Sequence, residues 1–280
     1  MKPANNPDSS SSPITLPEHR ARKRFGQNFL HDRAVIERII DAIAPQREQH
    51  IVEVGPGQAA LTSYLVASGA RVDAIELDRD LADWLQQRFA ADTNFQLHRG
   101  NVLKFDLETL ASDPRQLRIV GNLPYNISTP CLFHLLTYEP LIDDMTFMLQ
   151  REVVERLAAV SGDDAYGRLS IMVQYHCQVD HLFDVHPGAF TPAPKVTSAI
   201  VRLRPHRQKQ FTANDPVLFQ RMVRDAFSQR RKTLKNALKG LISDIRPEDL
   251  PVDLSCRPEN LSMRDFVELS NAVDGARNPV

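Results

Sequence analysis

Glu53-Val54-Gly55-Pro56-Gly57-Gln58-Ala59-Ala60 closes an apolar run that starts at His50, and this stretch decides the fold. A short strand that breaks into a turn with two glycines and re-enters a helical pattern is how doubly wound α/β sheets open a ligand site. The glycines let backbone approach the ligand beyond the carboxyl end of the strand. Around it, apolar runs and helical patterns alternate: strand His50 to Val54, helix Ala59 to Ser68, strand Arg71 to Glu76, helix Arg79 to Ala90. Gly69 stands where a helix C-cap glycine belongs. Further strands are predicted at Phe95 to His98, Arg118 to Gly121 and Met145 to Leu149, with helices at Thr129 to Leu136 and Glu152 to Ala159. Strand and helix in strict succession predict a parallel sheet covered on both faces. Val179 to Val185 and Val196 to Leu203 read as later strands of it.

Glu76 ends the second strand 21 positions after Gly55, where a carboxylate can accept both ribose hydroxyls of an adenosine. Turn and acid together predict a nucleoside pocket. They do not choose between a nicotinamide dinucleotide and S-adenosylmethionine, because both present an adenosine ribose.

Residues 1 to 19, with a Ser9 to Ser12 run and little apolar content, are expected to form a disordered tail. Val35, Ile36, Ile39, Ile40 and Ile43 then repeat at helical spacing, with Asp32 as N-cap and Pro45 as terminator. After about Pro205 only helical patterns remain, notably Pro216 to Phe227 and Arg231 to Leu241. The expected organisation is a sheet domain over 20 to 207 and a smaller all-helical C-terminal domain over 208 to 280.

With 280 residues, 42% of them hydrophobic, the chain can bury one full core and a smaller second one. It has neither an apolar stretch of membrane-spanning length nor a secretory signal, and a cytoplasmic protein is expected. Cys131, Cys177 and Cys256 form no C-x-x-C pair and read as buried small hydrophobes. The nine histidines lack metal-ligand spacing, so no metal is expected, and His134 and His176 on helical patterns take structural roles. Asp78 and Asp80 read as caps of the following helix, and Glu152, Glu155 and Arg156 as a solvated face. The net charge of -1 conceals an asymmetry: Arg202 to Lys239 holds eleven Lys or Arg against Asp215 and Asp225 alone. Clustered bases on one element are the electrostatic footprint of a nucleic-acid partner. RNA contacts are therefore expected at Arg22, Lys23 and Arg24 and at Arg230, Arg231 and Lys232, the latter at the start of a helical pattern.

After the strand ending at Gly121 stands Asn122-Leu123-Pro124-Tyr125, then Asn126-Ile127-Ser128 and a helix that Ser128 would cap. An adenine N6 amine is a poor nucleophile because its lone pair is delocalised into the ring. The Asn122 side-chain oxygen and the Leu123 carbonyl can accept its two hydrogens and direct the lone pair at a sulfonium methyl. Tyr125 then stacks on the base, and Pro124 stiffens the turn.

This loop resembles the Asn-Pro-Pro-Tyr motif of adenine N6 methyltransferases. The resemblance extends through Arg22-Lys23-Arg24-Phe25-Gly26-Gln27-Asn28-Phe29-Leu30, Gly121 to Ser128, Phe190 to Val196 (FTPAPKV) and Gln229-Arg230-Arg231-Lys232. Together these resemble, over about residues 20 to 275, the bacterial small-subunit (16S) ribosomal RNA adenine N6,N6-dimethyltransferase family. More distantly similar are the large-subunit methyltransferases of macrolide resistance and the mitochondrial transcription factor branch.

The resemblance implies a Rossmann-like S-adenosylmethionine-dependent methyltransferase sheet over 20 to 207 and RNA binding by the C-terminal helices. It also implies a monomer that dimethylates two adjacent adenosines near the 3′ end of 16S ribosomal RNA. S-adenosylmethionine contacts are assigned by it to Asn28, Leu30, Gly55, Gly57, Glu76, Asn101 and Asn122, and a second aromatic wall for a flipped adenine to Phe190. On the sequence alone Phe190 reads as a core residue. Asn101 departs from the usual Asp of the family, so its amide oxygen is expected to accept the bond from the cofactor's adenine amine, more weakly than a carboxylate would. Two other readings compete. One is an RNA-binding ribosome assembly factor on a methyltransferase fold without catalysis, which intact Glu76, Asn122 and Tyr125 oppose. The other is a nicotinamide oxidoreductase, which leaves the Asn122 loop and the basic segments unexplained.

Overall fold

The computed structural model describes residues 22, 26–111, 113–229 and 231–277. In chain order, the sheet half contains β1 (Phe29–Leu30), α1 (Arg33–Ile43), β2 (His50–Val54), α2 (Thr62–Ala67), β3 (Arg71–Glu76), α3 (Arg79–Arg88), β4 (Phe95–Arg99) and β5 (Leu117–Asn122). It continues with α4 (Ser128–Leu136), β6 (Ile142–Gln150), α5 (Arg151–Ala158), α6 (Arg168–His176), β7 (Cys177–Val185), β8 (Phe190–Thr191) and β9 (Ser198–Pro205). Among the described residues only helices follow: α7 (Pro216–Phe227), α8 (Leu234–Ala237), α9 (Lys239–Ile242) and α10 (Met263–Arg277).

Seven strands form one sheet in the order β4-β3-β2-β5-β6-β9-β7. The first five are mutually parallel. β9 runs antiparallel to both β6 and β7, which departs from the wholly parallel sheet that the strand–helix alternation predicts. No α-helix separates β7 from β9, and without a helical crossover a neighbouring strand returns in the opposite direction. The order reverses between β2 and β5, which opens a crevice at their carboxyl ends.

Asp32 caps α1 by accepting the Val35 N–H, and Ala44 ends that helix in a left-handed conformation, so both predicted ends hold. α2 begins three residues later than predicted because Ala59 is itself left-handed (φ 61°) and its N–H closes a turn onto the Pro56 carbonyl at 2.9 Å. Ser128 caps nothing: it is the first residue of α4, and its hydroxyl donates to the Tyr125 carbonyl at 3.0 Å. The predicted helix from Arg231 to Leu241 is two short helices, and Arg231 and Lys232 lie in the turn before them. α6, for which the sequence reading gave no bounds beyond a helical pattern at His176, carries Ile171, Met172 and Tyr175 into the core of the C-terminal helices.

Apolar side chains fill both sheet faces. Ile36, Ile39 and Ile43 of α1 join Val120, Met148 and Ile200 on one, while Leu132 and Leu135 of α4 meet Val52, Ile119 and Phe147 on the other. Each such side chain contributes about 1.5–3 kcal/mol when fully buried. At the amino end of the sheet, Arg118 donates to both oxygens of Asp144 (2.9 Å each), to Gln49 (2.7 Å) and to the Ile43 carbonyl (2.8 Å). That rivet leaves the carboxyl end free for a ligand. Cys131 and Cys177 are buried as expected, and burial pushes each thiol up to about 12, whereas Cys256 is only partly covered.

Candidate active site

A cavity of about 330 Å³ opens at the reversal point, walled by the ends of β2, β3 and β5, the segment after β4 and residues 26–30. The Gly55–Gly57 turn forms its floor. Gly57 adopts a φ of 55°, a left-handed value that L side chains rarely take. Its N–H donates at 3.1 Å to Glu76, whose other carboxylate oxygen accepts the Asp78 N–H at 2.8 Å. Burial raises the Glu76 pKa, and these two backbone bonds oppose the rise.

Glu53, which the sequence reading passed over, also lines this cavity. Burial pushes its carboxyl up to about 7, opposed by an interaction with the Thr62 hydroxyl and assisted by the Glu76 charge. Its signal was an acid inside the otherwise apolar run from His50 to Val54.

The far wall is the loop after β5. Gly121 is obligatory there, because a Cβ would stand 2.5 Å from the Val54 carbonyl oxygen where β5 presses on β2. The Asn122 amide nitrogen donates to the Asn28 carbonyl at 3.1 Å. A carbonyl can only accept, so the nitrogen end of the amide must face it, and the oxygen end is left for a ligand donor. Leu123 commits its N–H to the Met148 carbonyl at 3.2 Å and buries its side chain, so what it offers a ligand is its own carbonyl. The Pro124 carbonyl accepts the Ile127 N–H at 3.0 Å and tightens the loop. Tyr125 is half-buried, which raises its pKa, and its hydroxyl meets the Ser198 hydroxyl at 2.6 Å.

Residues 26–30 cross the cavity as a strap. Asn28 and Leu30 line the cavity, and the strap is tied down by pairing of β1 with β8, with Leu30 opposite Phe190. Phe190 is only 3% exposed, packed with the core under that strap, and it does not line the cavity. Its burial agrees with the core reading of the sequence, while the aromatic-wall assignment concerns the substrate base. Asn101 lines the cavity, but its side-chain oxygen accepts the Leu103 N–H at 3.0 Å.

Of the residues expected to meet RNA, Lys23, Arg24 and Arg230 lie outside the described residues. Arg22 is engaged with carboxylates, donating to Asp78 at 3.0 Å and pairing with Asp80, while Gln27 donates to Asp78 at 3.1 Å. Its guanidinium thus fastens the strap beside the cavity. Asp78 caps α3, as predicted, whereas Asp80 sits inside its first turn. Arg231 and Lys232 are exposed.

The ribosomal RNA adenine dimethylase family pattern matches residues 18–274. Ribosomal RNA small subunit methyltransferase A of Pseudomonas putida is 58% identical over 254 residues, covering 91% of this chain and 95% of that protein. The protein of the same name from Hahella chejuensis is 52% identical over 255 residues, covering 91% and 93%. Among solved structures, a dimethyladenosine transferase from Plasmodium falciparum superposes with a TM-score of 0.71 at 26% identity, covering 86% of this chain and 95% of that one. The 23S ribosomal RNA methyltransferase ErmE shares the fold, with a TM-score of 0.67 at 23% identity over 88% of this chain and 100% of its own.

Proposed function

The chain belongs to the ribosomal RNA adenine dimethylase family and methylates adenine in ribosomal RNA, and we propose that its donor is S-adenosylmethionine and its target N6 of two adjacent adenosines near the 3′ end of 16S ribosomal RNA. The residues present fit that donor: Glu76 at the strand end for the ribose, and a glycine turn for close backbone approach. Asn28, Leu30, Gly55, Gly57, Asn101 and Asn122 complete the contact set. When bound, S-adenosylmethionine supplies an electrophilic methyl on a sulfonium. The protein's part is to prepare the amine.

Asn122 carries this reading. Its amide is held nitrogen-first on the Asn28 carbonyl, which fixes the oxygen as an acceptor before substrate arrives. That oxygen and the Leu123 carbonyl take the two N6 hydrogens, which localises the lone pair and aims it. Tyr125, anchored on Ser198, gives the flipped base a stacking partner in place of the one it leaves. A base must abandon its stack to reach such a loop, so the target is single-stranded or already distorted RNA. Arg231 and Lys232 hold its phosphates.

The test is single-turnover transfer by Asn122→Ala. Loss of one preorganised group acting mainly in the transition state should slow transfer by about 10²–10³-fold while RNA affinity stays near wild type. A folded Asn122→Ala protein that transfers at the wild-type rate overturns the assigned role of the loop.

A further inference from the structure

Resting on the reading of the cavity as an S-adenosylmethionine site, the geometry points to Asn101 as the residue that sets purine selectivity there, by offering the ring edge an N–H donor where a carboxylate would offer an acceptor. Asn101 follows β4 and lies in the cavity wall with Leu77 and Val102, next to Glu76, whose backbone carbonyl accepts the Gly100 N–H at 2.9 Å. Beyond the ribose acid, an apolar wall with one polar side chain is what a flat heteroaromatic ring with a polar edge requires.

The orientation of that side chain is not free. Its oxygen accepts the Leu103 N–H at 3.0 Å and caps the turn Val102–Lys104. Turning the amide over would set an NH₂ group against that N–H, donor against donor, so the oxygen is committed to the cap. A carboxylate in the same place caps with one oxygen and keeps a second acceptor for the ligand. An amide capping with its only oxygen turns its nitrogen to the remaining side. The 6-amino group of adenine is itself a donor and gains nothing from a second donor, whereas a 6-oxo purine presents an acceptor there. Asn101 therefore removes the demand for a 6-amino group that an acid would impose. The competing arrangement, one amide oxygen shared between the Leu103 N–H and a 6-amino group, implies the opposite selectivity.

The experiment is titration calorimetry of wild type and Asn101→Asp with S-adenosylhomocysteine and with its analogue carrying unsubstituted purine, which lacks only the 6-amino group and keeps N1 as an acceptor. Wild type should bind the two within about tenfold of each other. In Asn101→Asp the preference for the adenosyl compound should widen by about 10–100-fold, because the carboxylate gains a charge-assisted bond from the amine that unsubstituted purine cannot give. Asp caps as well as Asn, so the turn survives, and matching thermal melting checks this. Wild-type preference for the adenosyl compound beyond about tenfold, or an unchanged ratio in Asn101→Asp, overturns the inference. Wild type binding neither compound removes the cofactor reading and this inference with it, an outcome distinct from tight binding of the adenosyl compound alone.

Discussion

The cavity at the sheet's carboxyl end and the basic turn after α7 are built on opposite plans. In the cavity, three polar groups are held by specific partners: Glu76 by two backbone N–H groups, Asn122 by the Asn28 carbonyl, Tyr125 by Ser198. Such preorganisation costs nothing further when a ligand arrives, and it suits chemistry that tolerates little misplacement. Around the turn, Arg231 and Lys232 are exposed on a segment without regular structure, above a helical core that includes Leu234, Leu238 and Leu241. Exposed charges attract phosphate at a distance and need no single geometry. The difference suggests a division of labour in which one region performs the transfer and the other holds the RNA.

If so, damage to one should leave the other's readout alone. Next to the loss expected of Asn122→Ala, the larger effect belongs to Glu76→Ala, whose charge-assisted contacts to the ribose are worth about 1.5–3 kcal/mol, or roughly tenfold to a hundredfold in S-adenosylmethionine affinity. RNA affinity should not change. Calorimetry that finds cofactor affinity intact would break the assignment of Glu76 and, with it, one side of the contrast.

The smaller effect is expected from replacing Arg231 and Lys232 together by Ala. RNA or subunit binding should weaken, and the slope of log affinity against log salt should flatten by on the order of one unit per lost phosphate contact. S-adenosylmethionine affinity should hold. Binding measured at several salt concentrations, with circular dichroism confirming the fold, decides the matter. An unchanged slope would make these residues ordinary surface charges and move the RNA contact elsewhere.

What the sequence made legible follows from the range of the interactions involved. The Gly55–Gly57 turn, Glu76 and the Asn122 loop are signalled by neighbours within a strand, a turn and a helix start, and all of them line the cavity. Long-range partners were hidden. Asn122 is oriented by a carbonyl 94 positions away, and Arg22 is drawn to Asp78 across 56. No local pattern announces either, so the carboxylate partners of Arg22 emerge only in the fold. Phe190 was legible locally: its apolar character places it in the core, where the structure has it 3% exposed and opposite Leu30 in the β1–β8 pair. The helix predicted over Arg231 to Leu241 misread a true spacing. Leu234, Leu238 and Leu241 do face one core, but two short helices set them there as well as one continuous helix would.

The measurement that bears most directly on the central claim is transfer of radiolabelled methyl from S-adenosylmethionine to small ribosomal subunits from a strain lacking the modification, followed by digestion of the RNA to nucleosides. N6,N6-dimethyladenosine should carry the label, from two adjacent positions near the 3′ end of 16S ribosomal RNA. Absence of transfer by the folded protein, as an assembly factor without catalysis would give, or label on another base or on ribose, would contradict the account.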